Sequence, residues 1–291
     1  MNLNTTRVCN LPSYPGVDGF GPVVMTYLEG QQRLAACGSF ADSDQSCYQL
    51  SPDDQPPVWQ PLAAGQLINH HCPTPDSTRN HFLSEIGWFL VGQEDGRCGI
   101  DGAAILTELL TPDLQWVSLP ILSPFSSLAG YPALTCSVDI DSSGTVIVTG
   151  GYNGIGDLAY THKLDLTDYQ WTHCKDMPGP RFGHGCTATA AGEVIIAGGF
   201  DRYDHLVSSV YVYNLVSDTW SQAGDLPNGM NYDYPVMFLW NKHPIILENF
   251  SSNIWILGDG ANWQKMEASM GGYFDGLSDT ATTVPSGIFS C

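Results

Sequence analysis

The sequence predicts an all-β fold in which one unit of about fifty residues is repeated around a ring. A glycine that ends an apolar run is followed about twenty residues later by a tryptophan, and this pattern occurs in four places. The pairs are Gly38 and Trp59, Gly92 and Trp116, Gly150 and Trp171, and Gly198 and Trp220. A fifth copy lacks the glycines and ends at Trp263. No stretch carries the apolar period of a capped helix, so we expect minimal helix.

Each unit reads as four short strands. In the fourth copy, CTATAA and EVIIAGG flank an Ala-Gly turn, SVYVYNL alternates between two faces, and TWSQAGDLP follows a Ser-Asp turn. Four antiparallel strands per unit, arranged radially, form a β-propeller, in which closure of the ring protects the sheet edges. Residues 1–291 are therefore predicted to form a single propeller domain.

The glycines and the tryptophans are expected to have different roles in each unit. At the end of the second strand the backbone turns sharply beside neighbouring strands, and glycine permits a positive φ and close packing there. The aromatic residues of the outer strands are expected to fill the wedge between adjacent blades.

The two ends of the sequence predict six blades. Five units occupy roughly residues 22–270, and TATTVPSGIFSC resembles the first two strands of another unit. The N-terminal TTRVCNLP resembles the unit endings WTHCKDMP and TWSQAGDLP. We therefore expect a sixth blade shared between the termini, which would bring Cys9 near Cys291.

The third and fourth units resemble kelch repeats. VIVTGGYN…HKLDLTDYQWTHCKDMPGPRFGHG and VIIAGGFD…VYVYNLVSDTWSQAGDLPNGM carry a double glycine, an aromatic third strand, a tryptophan, and Met-Pro or Leu-Pro. The first two units keep one glycine each, and the fifth keeps none at that position. The resemblance implies a propeller of five to seven blades whose loops bind a partner, and Arg181 occupies the kelch arginine position.

The charge balance argues against two classes of partner. The chain has 10 Lys and Arg against 30 Asp and Glu, a net charge of −20. Such a surface repels phosphate backbones and anionic lipid headgroups, so we expect no nucleic-acid binding. No apolar run approaches the roughly 20 residues of a membrane span, so we expect no membrane insertion.

Nine cysteines and two glycosylation sequons favour an extracellular protein. The sequons place candidate glycans on Asn4 and Asn249. At least three disulfides are expected, and the odd count leaves one cysteine free or joined to another chain, which would permit an oligomer. No C-x-x-C pair occurs, so we predict neither a metal site nor a cofactor. The candidate pairs are Cys37–Cys47, Cys136–Cys186 and Cys9–Cys291, with Cys72 and Cys98 as further candidates.

Strand order predicts a recognition site on one face of the ring. In a four-stranded blade, the loops between the second and third strands emerge on the same face as the connections between blades. Aromatic, basic and carboxylate side chains are concentrated in those segments, as a binding site requires. The candidate binding residues are Arg79, Arg97, Tyr152, Asn153, Asp157, Arg181, His184, Asp201, Arg202, Asp204, Tyr232 and Asp233.

Three functions are consistent with this sequence. The first is a secreted recognition module that binds a protein or a glycan through loops on one face. The second is a propeller enzyme that acts on a small molecule or sugar at the mouth of the central channel, although no catalytic motif supports it. The third is an oligomeric coat or matrix component linked through the odd cysteine.

Overall fold

The structure of the chain, a computed structural model, describes most of its second half and shorter segments of its first half. The described residues are 12, 15, 24–28, 31–37, 47–54, 56–62, 71–72, 82–83, 87–94, 105–120, 136–140, 144–151, 156, 158–189, 191–231, 233–240, 242–258 and 262–274.

These residues form 21 β-strands in five antiparallel sheets, which we number as blades 1 to 5 in chain order. Blade 1 contains β1 (Val24–Leu28), β2 (Arg33–Cys37), β3 (Cys47–Leu50) and β4 (Trp59–Pro61). Blade 2 contains β5 (His71–Cys72), β6 (Phe82–Leu83), β7 (Gly87–Glu94), β8 (Ile105–Leu110) and β9 (Trp116–Ser118). Blade 3 contains β10 (Cys136–Ile140), β11 (Thr145–Thr149), β12 (Thr161–Asp165) and β13 (Gln170–His173). Blade 4 contains β14 (Gly185–Ala188), β15 (Val194–Ala197), β16 (Ser209–Asn214) and β17 (Thr219–Asp225). Blade 5 contains β18 (Val236–Trp240), β19 (His243–Leu247), β20 (Ser251–Leu257) and β21 (Trp263–Phe274).

Strand order within the sheets confirms the predicted repeat. In blades 1, 3, 4 and 5 the four strands pair in chain order, and each pair is antiparallel. Blade 2 follows the order β5-β7-β8-β9, with β6 paired to β7. The all-β, propeller-like fold is therefore confirmed. The sixth blade shared between the termini lies outside the described residues and stays a prediction.

The double glycines let the chain pass from one blade to the next. Gly150 has φ +60°, and a Cβ there would lie 2.5 Å from the carbonyl oxygen of Arg181. Gly199 has φ +80°, and a Cβ there would lie 2.6 Å from the backbone nitrogen of His184. Both neighbouring atoms belong to the connection between blades 3 and 4. The glycines therefore supply the positive φ and the close approach that the repeat predicts.

Apolar clusters join consecutive blades. Leu109 of blade 2 packs with Val146 and Leu164 of blade 3, and Ile147 of blade 3 packs with Ile196 of blade 4. Partly buried tryptophans lie against three of these clusters: Trp116 between blades 1 and 2, Trp171 between blades 2 and 3, and Trp220 between blades 3 and 4. The expected role of the tryptophans as wedge-filling residues is confirmed there.

Two of these tryptophans, Trp171 and Trp220, donate the same hydrogen bond to the preceding unit. The indole Nε1–H of Trp171 donates to the carbonyl oxygen of Pro120 at 2.9 Å, just beyond the outer strand of blade 2. Trp220 donates in the same way to the carbonyl oxygen of Lys175, beyond the outer strand of blade 3, at 2.9 Å. Each bond gives the indole N–H a partner while the ring packs against the apolar cluster.

Where the structure describes the cysteines, four of them lie opposite each other or on adjacent strands, and Cys174 is separate from these. Cys37 and Cys47 are directly opposite each other in the ladder between β2 and β3. Cys136 begins β10, and Cys186 lies in the adjacent strand β14. Cys174 carries a free thiol, whereas the buried Cys47 and Cys186 do not. Cys9, Cys98 and Cys291 lie outside the described residues, as do the side chains of Cys37, Cys72 and Cys136, so all the disulfide pairs stay predictions.

Among the described residues, no helix has the length and hydropathy needed to cross a bilayer.

Candidate recognition surface on the loop face

One face of the ring is formed by the loops between the second and third strands together with the connections between blades. We call it the loop face. In blades 4 and 5 it includes the β15–β16 loop, residues 198–208, and the β19–β20 loop, residues 248–250. The connections that enter these blades, residues 174–184 and 226–235, lie on the same face.

Three half-buried aromatic rings form a stack on the loop face. The rings of Phe182 and Phe200 are stacked with centroids 5.2 Å apart, and Tyr234 lies 5.5 Å from Phe200. The backbones of Phe182 and Phe200 form a β-bridge, which fixes the first pair. Gly183 makes room for the third ring, since a Cβ there would lie 2.7 Å from Tyr234 Cε1. We call these three rings the aromatic stack.

Exposed apolar side chains extend this surface. Tyr203 is 63% exposed and Leu206 is 47% exposed, both in the β15–β16 loop. Phe250, in the corresponding loop of blade 5, is 48% exposed. The guanidinium of Arg202 lies over the ring of Tyr203, 4.9 Å from its centroid. The loop face thus presents large apolar groups with a cation already placed on one of them.

The β15–β16 loop is held by one of its own side chains, that of Asp201. Asp201 Oδ1 accepts hydrogen bonds from the backbone nitrogens of Tyr203 at 2.8 Å and His205 at 3.0 Å. These bonds lower the pKa of Asp201, because they stabilise the carboxylate. Asp204 then takes φ 59°, a left-handed conformation that aspartate tolerates better than most residues. Asp201, Arg202 and Asp204 are thereby brought together in one turn.

Arg181 was predicted to be a binding residue in an exposed connection, and this prediction is wrong because its side chain is buried. Its side chain is 3% exposed and its guanidinium is used inside blade 4. Nη1 donates to the carbonyl oxygens of Gly198 and Ser209, and Nη2 donates to Ser209 Oγ. The group lies over the ring of Tyr211, and burial lowers its pKa to about 10. Arg181 therefore joins the incoming connection to both ends of the β15–β16 loop.

His184 is also buried, contrary to its predicted place on the rim. It is 0% exposed, and its Nε2 forms a 2.8 Å hydrogen bond with Thr149 Oγ1. Thr149 ends β11, so this bond ties the connection that leads into β14 to the second strand of blade 3. Arg181 and His184 support the surface from below.

A buried carboxylate fixes the loop face of blade 5. Glu248 is 6% exposed, and its Oε1 accepts from the backbone nitrogen of Asn231 at 2.9 Å. Its Oε2 accepts from Asn253 Nδ2 and Trp255 Nε1, each at 2.8 Å. Asn231 in turn donates to the carbonyl oxygen of Asn249. The connection that carries half-buried Asp233 is therefore held against the β19–β20 loop.

The glycosylation prediction for Asn249 is wrong for the folded chain. Its side chain is 1% exposed, and Oδ1 accepts from the backbone nitrogen of Phe250 at 3.0 Å. A glycan on Nδ2 has no access to solvent from that position. Asn4 lies outside the described residues, so its sequon stays a prediction.

Backbone strain accompanies the aromatic residues of the loop face. Tyr234 has φ 42° and Phe250 has φ 52°, both in the left-handed region that bulky residues rarely adopt. Such conformations persist only when surrounding contacts enforce them, and they are found preferentially at functional sites. Here the contacts are the stack around Tyr234 and the Glu248 network beside Phe250.

A separate histidine pair lies on the outer strands of blade 3. The rings of His162 and His173 are stacked with centroids 5.0 Å apart, and Tyr160 meets both edge-on. His173 Nε2 is 2.8 Å from Asp176 Oδ1. Burial lowers the pKa of His162 to about 4, with a further contribution from His173 and an opposing one from Asp176. Within the described residues, no group of three His, Cys, Asp or Glu side chains is placed to hold a metal ion.

Several predicted site residues cannot be placed. They lie outside the described residues and stay predictions: Arg79, Arg97, Tyr152, Asn153, Asp157 and Tyr232. Conversely, the sequence reasoning missed the aromatic stack, Leu206 and Phe250. Two of the stacked rings could have been found from the sequence. Phe182 directly follows Arg181 and Phe200 directly follows the double glycine, and both of these neighbours were predicted to lie on the loop face.

Comparison with known proteins gives one family model, the kelch motif, over residues 180–227. Kelch domain-containing protein 10 of Xenopus tropicalis is 37% identical over 86 residues, which cover 29% of this chain and 20% of that protein. The human protein of the same name is 27% identical over 92 residues, or 30% of this chain and 21% of that protein. F-box/kelch-repeat protein SKIP30 of Arabidopsis thaliana is 28% identical over 118 residues, or 38% of this chain and 33% of that protein.

These matches span only a fifth to a third of the relatives' own length. The kelch motif, over residues 180–227, contains the whole of blade 4, one of the two units that carry a double glycine. The predicted resemblance to kelch repeats is confirmed by the motif at residues 180–227, and the fold is all-β and propeller-like.

Proposed function

We propose that this chain is a recognition module that binds a partner protein through the loop face of blades 4 and 5. The observation that carries the proposal is the set of exposed apolar side chains, Tyr203, Leu206 and Phe250, beside the aromatic stack. Large aromatic groups on a supported surface are typical of the residues that dominate protein interfaces. The kelch propeller is consistent with this role, because such domains commonly serve protein interaction.

Support beneath the surface favours binding over a purely structural role. The β15–β16 loop is fixed by Asp201 and Arg181, and the β19–β20 loop by Glu248. A partner therefore meets side chains whose backbone is already ordered, which lowers the entropic cost of association. Phe250 has an exposed ring and a left-handed φ, a backbone conformation that is unfavourable for a bulky residue and is found preferentially at functional sites.

We also propose that the protein works outside the cell, with disulfides Cys37–Cys47 and Cys136–Cys186. The register of β2 and β3, the adjacency of β10 and β14, and the lack of a free thiol on Cys47 and Cys186 support these pairs. Mass mapping of the native protein tests them directly. Recovery of Cys37 and Cys136 as free thiols would overturn both the pairing and the extracellular assignment.

The binding proposal is tested by capturing partners from extracellular fluid with the wild-type protein and with the double variant Tyr203→Ala, Phe250→Gly. Glycine suits the positive φ at position 250, so the variant should fold normally. We expect partner retention to fall by about tenfold or more, as when interface hot-spot side chains are truncated.

Tyr169→Gly is the matched control. Tyr169 is 38% exposed and has φ 58°, but it lies in the β12–β13 turn on the opposite face. It should retain partners as the wild type does. If the loop-face variant retained as much partner as the wild type, the proposal that the partner binds this face would be wrong.

A further inference from the structure

We infer that the partner presents a lysine or arginine next to an apolar residue, in a protein segment that docks on the β15–β16 loop. The inference rests on the proposed function and names the chemistry of its partner. It starts from the residues that any occupant of this loop would meet: Tyr203, Leu206 and the carboxylates of Asp201 and Asp204.

The charges of the loop favour a cation. Two carboxylates, Asp201 and Asp204, flank one guanidinium, that of Arg202. Asp201 is held ionised by its backbone hydrogen bonds, and Asp204 is exposed to solvent. The whole chain adds a net charge of −20, which attracts cationic partners during diffusion and repels anionic ones.

The aromatic ring provides the second element of recognition. Arg202 already lies 4.9 Å above the ring of Tyr203, so the geometry of this loop accommodates a guanidinium on an aromatic face. Tyr203 is 63% exposed, which leaves ring surface for a second group from a partner. Leu206 is 47% exposed and supplies the apolar contact beside it. A basic residue with an apolar neighbour matches both features.

The test uses three synthetic peptides of equal length and measures their binding by fluorescence anisotropy. One carries lysine and arginine beside leucine, one replaces the basic residues by glutamate, and one replaces all three by serine. We expect the basic peptide to bind at least about tenfold more tightly than either counterpart, with an affinity that falls as salt screens the charges.

Variants separate site-specific binding from general attraction to an acidic protein. Tyr203→Ala together with Asp204→Asn should weaken the basic peptide by about tenfold, since it removes a cation–π contact and an exposed ion pair. Tyr169→Gly together with Asp168→Asn is the matched control on the opposite face, because both residues are exposed there and glycine suits the positive φ of Tyr169. It should change the affinity by less than about twofold. Thermal melts of both variants verify that they are folded.

Three results would overturn the inference. These are equal weakening by the two double variants, preference for the glutamate peptide, and absence of basic-peptide binding at millimolar concentration. Binding of an oligosaccharide at Tyr203 in place of the basic peptide would assign the loop to a glycan. If the double variant Tyr203→Ala, Phe250→Gly still loses its captured partner while the basic peptide fails, the loop face stands and only the cationic chemistry is rejected.

Discussion

Arg181 shows how a charged residue on a connection becomes part of the core of a blade. Its guanidinium makes three hydrogen bonds to groups at Gly198 and Ser209, and it is almost completely buried. Burying a charge is unfavourable unless its donors are satisfied, and here backbone and hydroxyl oxygens satisfy them. The stabilisation depends on geometry that no local sequence pattern specifies.

We predict that Arg181→Ala lowers the free energy of unfolding by about 2–4 kcal/mol, because it leaves buried carbonyl oxygens without donors. Urea denaturation measures the loss. Arg202→Ala is the control, since that side chain is exposed and its removal should change stability by about 0.5 kcal/mol or less. Equal stability of the two variants would contradict the structural role of Arg181.

His162 predicts a pH dependence with a defined sign. Its pKa falls from 6.5 to about 4 in the folded chain, chiefly because burial disfavours the imidazolium. The unfolded chain therefore binds the proton more readily, and this contribution to stability is present above pH 6.5 and is lost as the pH falls towards 4. Urea denaturation at a series of pH values should show a shallower decline for His162→Gln than for wild type. If His162→Gln declines as steeply as wild type, groups other than the histidine pair determine the acid sensitivity.

At the scale of strands and turns, the double glycine is the element that the repeat requires. Gly199→Ala would force a positive φ on alanine and place its Cβ against the backbone of Phe182 and His184. We predict a loss of about 2–4 kcal/mol in the free energy of unfolding, measured by urea denaturation. Gly179→Ala is the control, because nothing lies within 4 Å of the added Cβ. A Gly199→Ala variant as stable as Gly179→Ala would mean that the connection can move away.

The elements were predictable because their signals are local. A glycine ending an apolar run and a tryptophan about twenty residues later identified four units, Trp263 indicated a fifth, and five sheets are found in the described residues. The site was less predictable. Polarity suggested exposure for Arg181 and His184, yet both are buried, because their partners come from other strands and from the neighbouring blade. The aromatic stack was missed because Phe182, Phe200 and Tyr234 meet only after blades 4 and 5 pack together.

At the scale of the whole molecule, the first and last described blades each carry an apolar cluster of their own. Blade 1 buries Tyr27, Leu34 and Leu50 beside Trp59, and blade 5 buries a second set around Ile245. The other four clusters each join two consecutive blades. A sixth blade between blades 5 and 1 would pack against both single-blade clusters in the same way.

Trp59 indicates where such a blade would come from. Its indole Nε1–H donates to the carbonyl oxygen of Pro12 at 2.8 Å, just as Trp171 donates to Pro120. Pro12 ends the segment NLP as Pro120 ends SLP, so we predict that the segment before Pro12 is the outer strand of a preceding blade. The indole bond of Trp59 therefore supports the predicted sixth blade.

We predict that deleting residues 1–12 lowers the unfolding temperature far more than removing a loop cysteine, because it takes away the acceptor of Trp59 and one strand of the predicted sixth blade. Without that strand, two sheet edges would be left open, which also favours aggregation. Calorimetry measures the first effect and light scattering the second. Trp59→Phe separates the indole bond from the strand: it should cost about 1 kcal/mol, as a single hydrogen bond does, and Trp171→Phe should cost about the same. A deletion variant that melts with the parent protein would show that the ring does not use its N-terminal segment for closure.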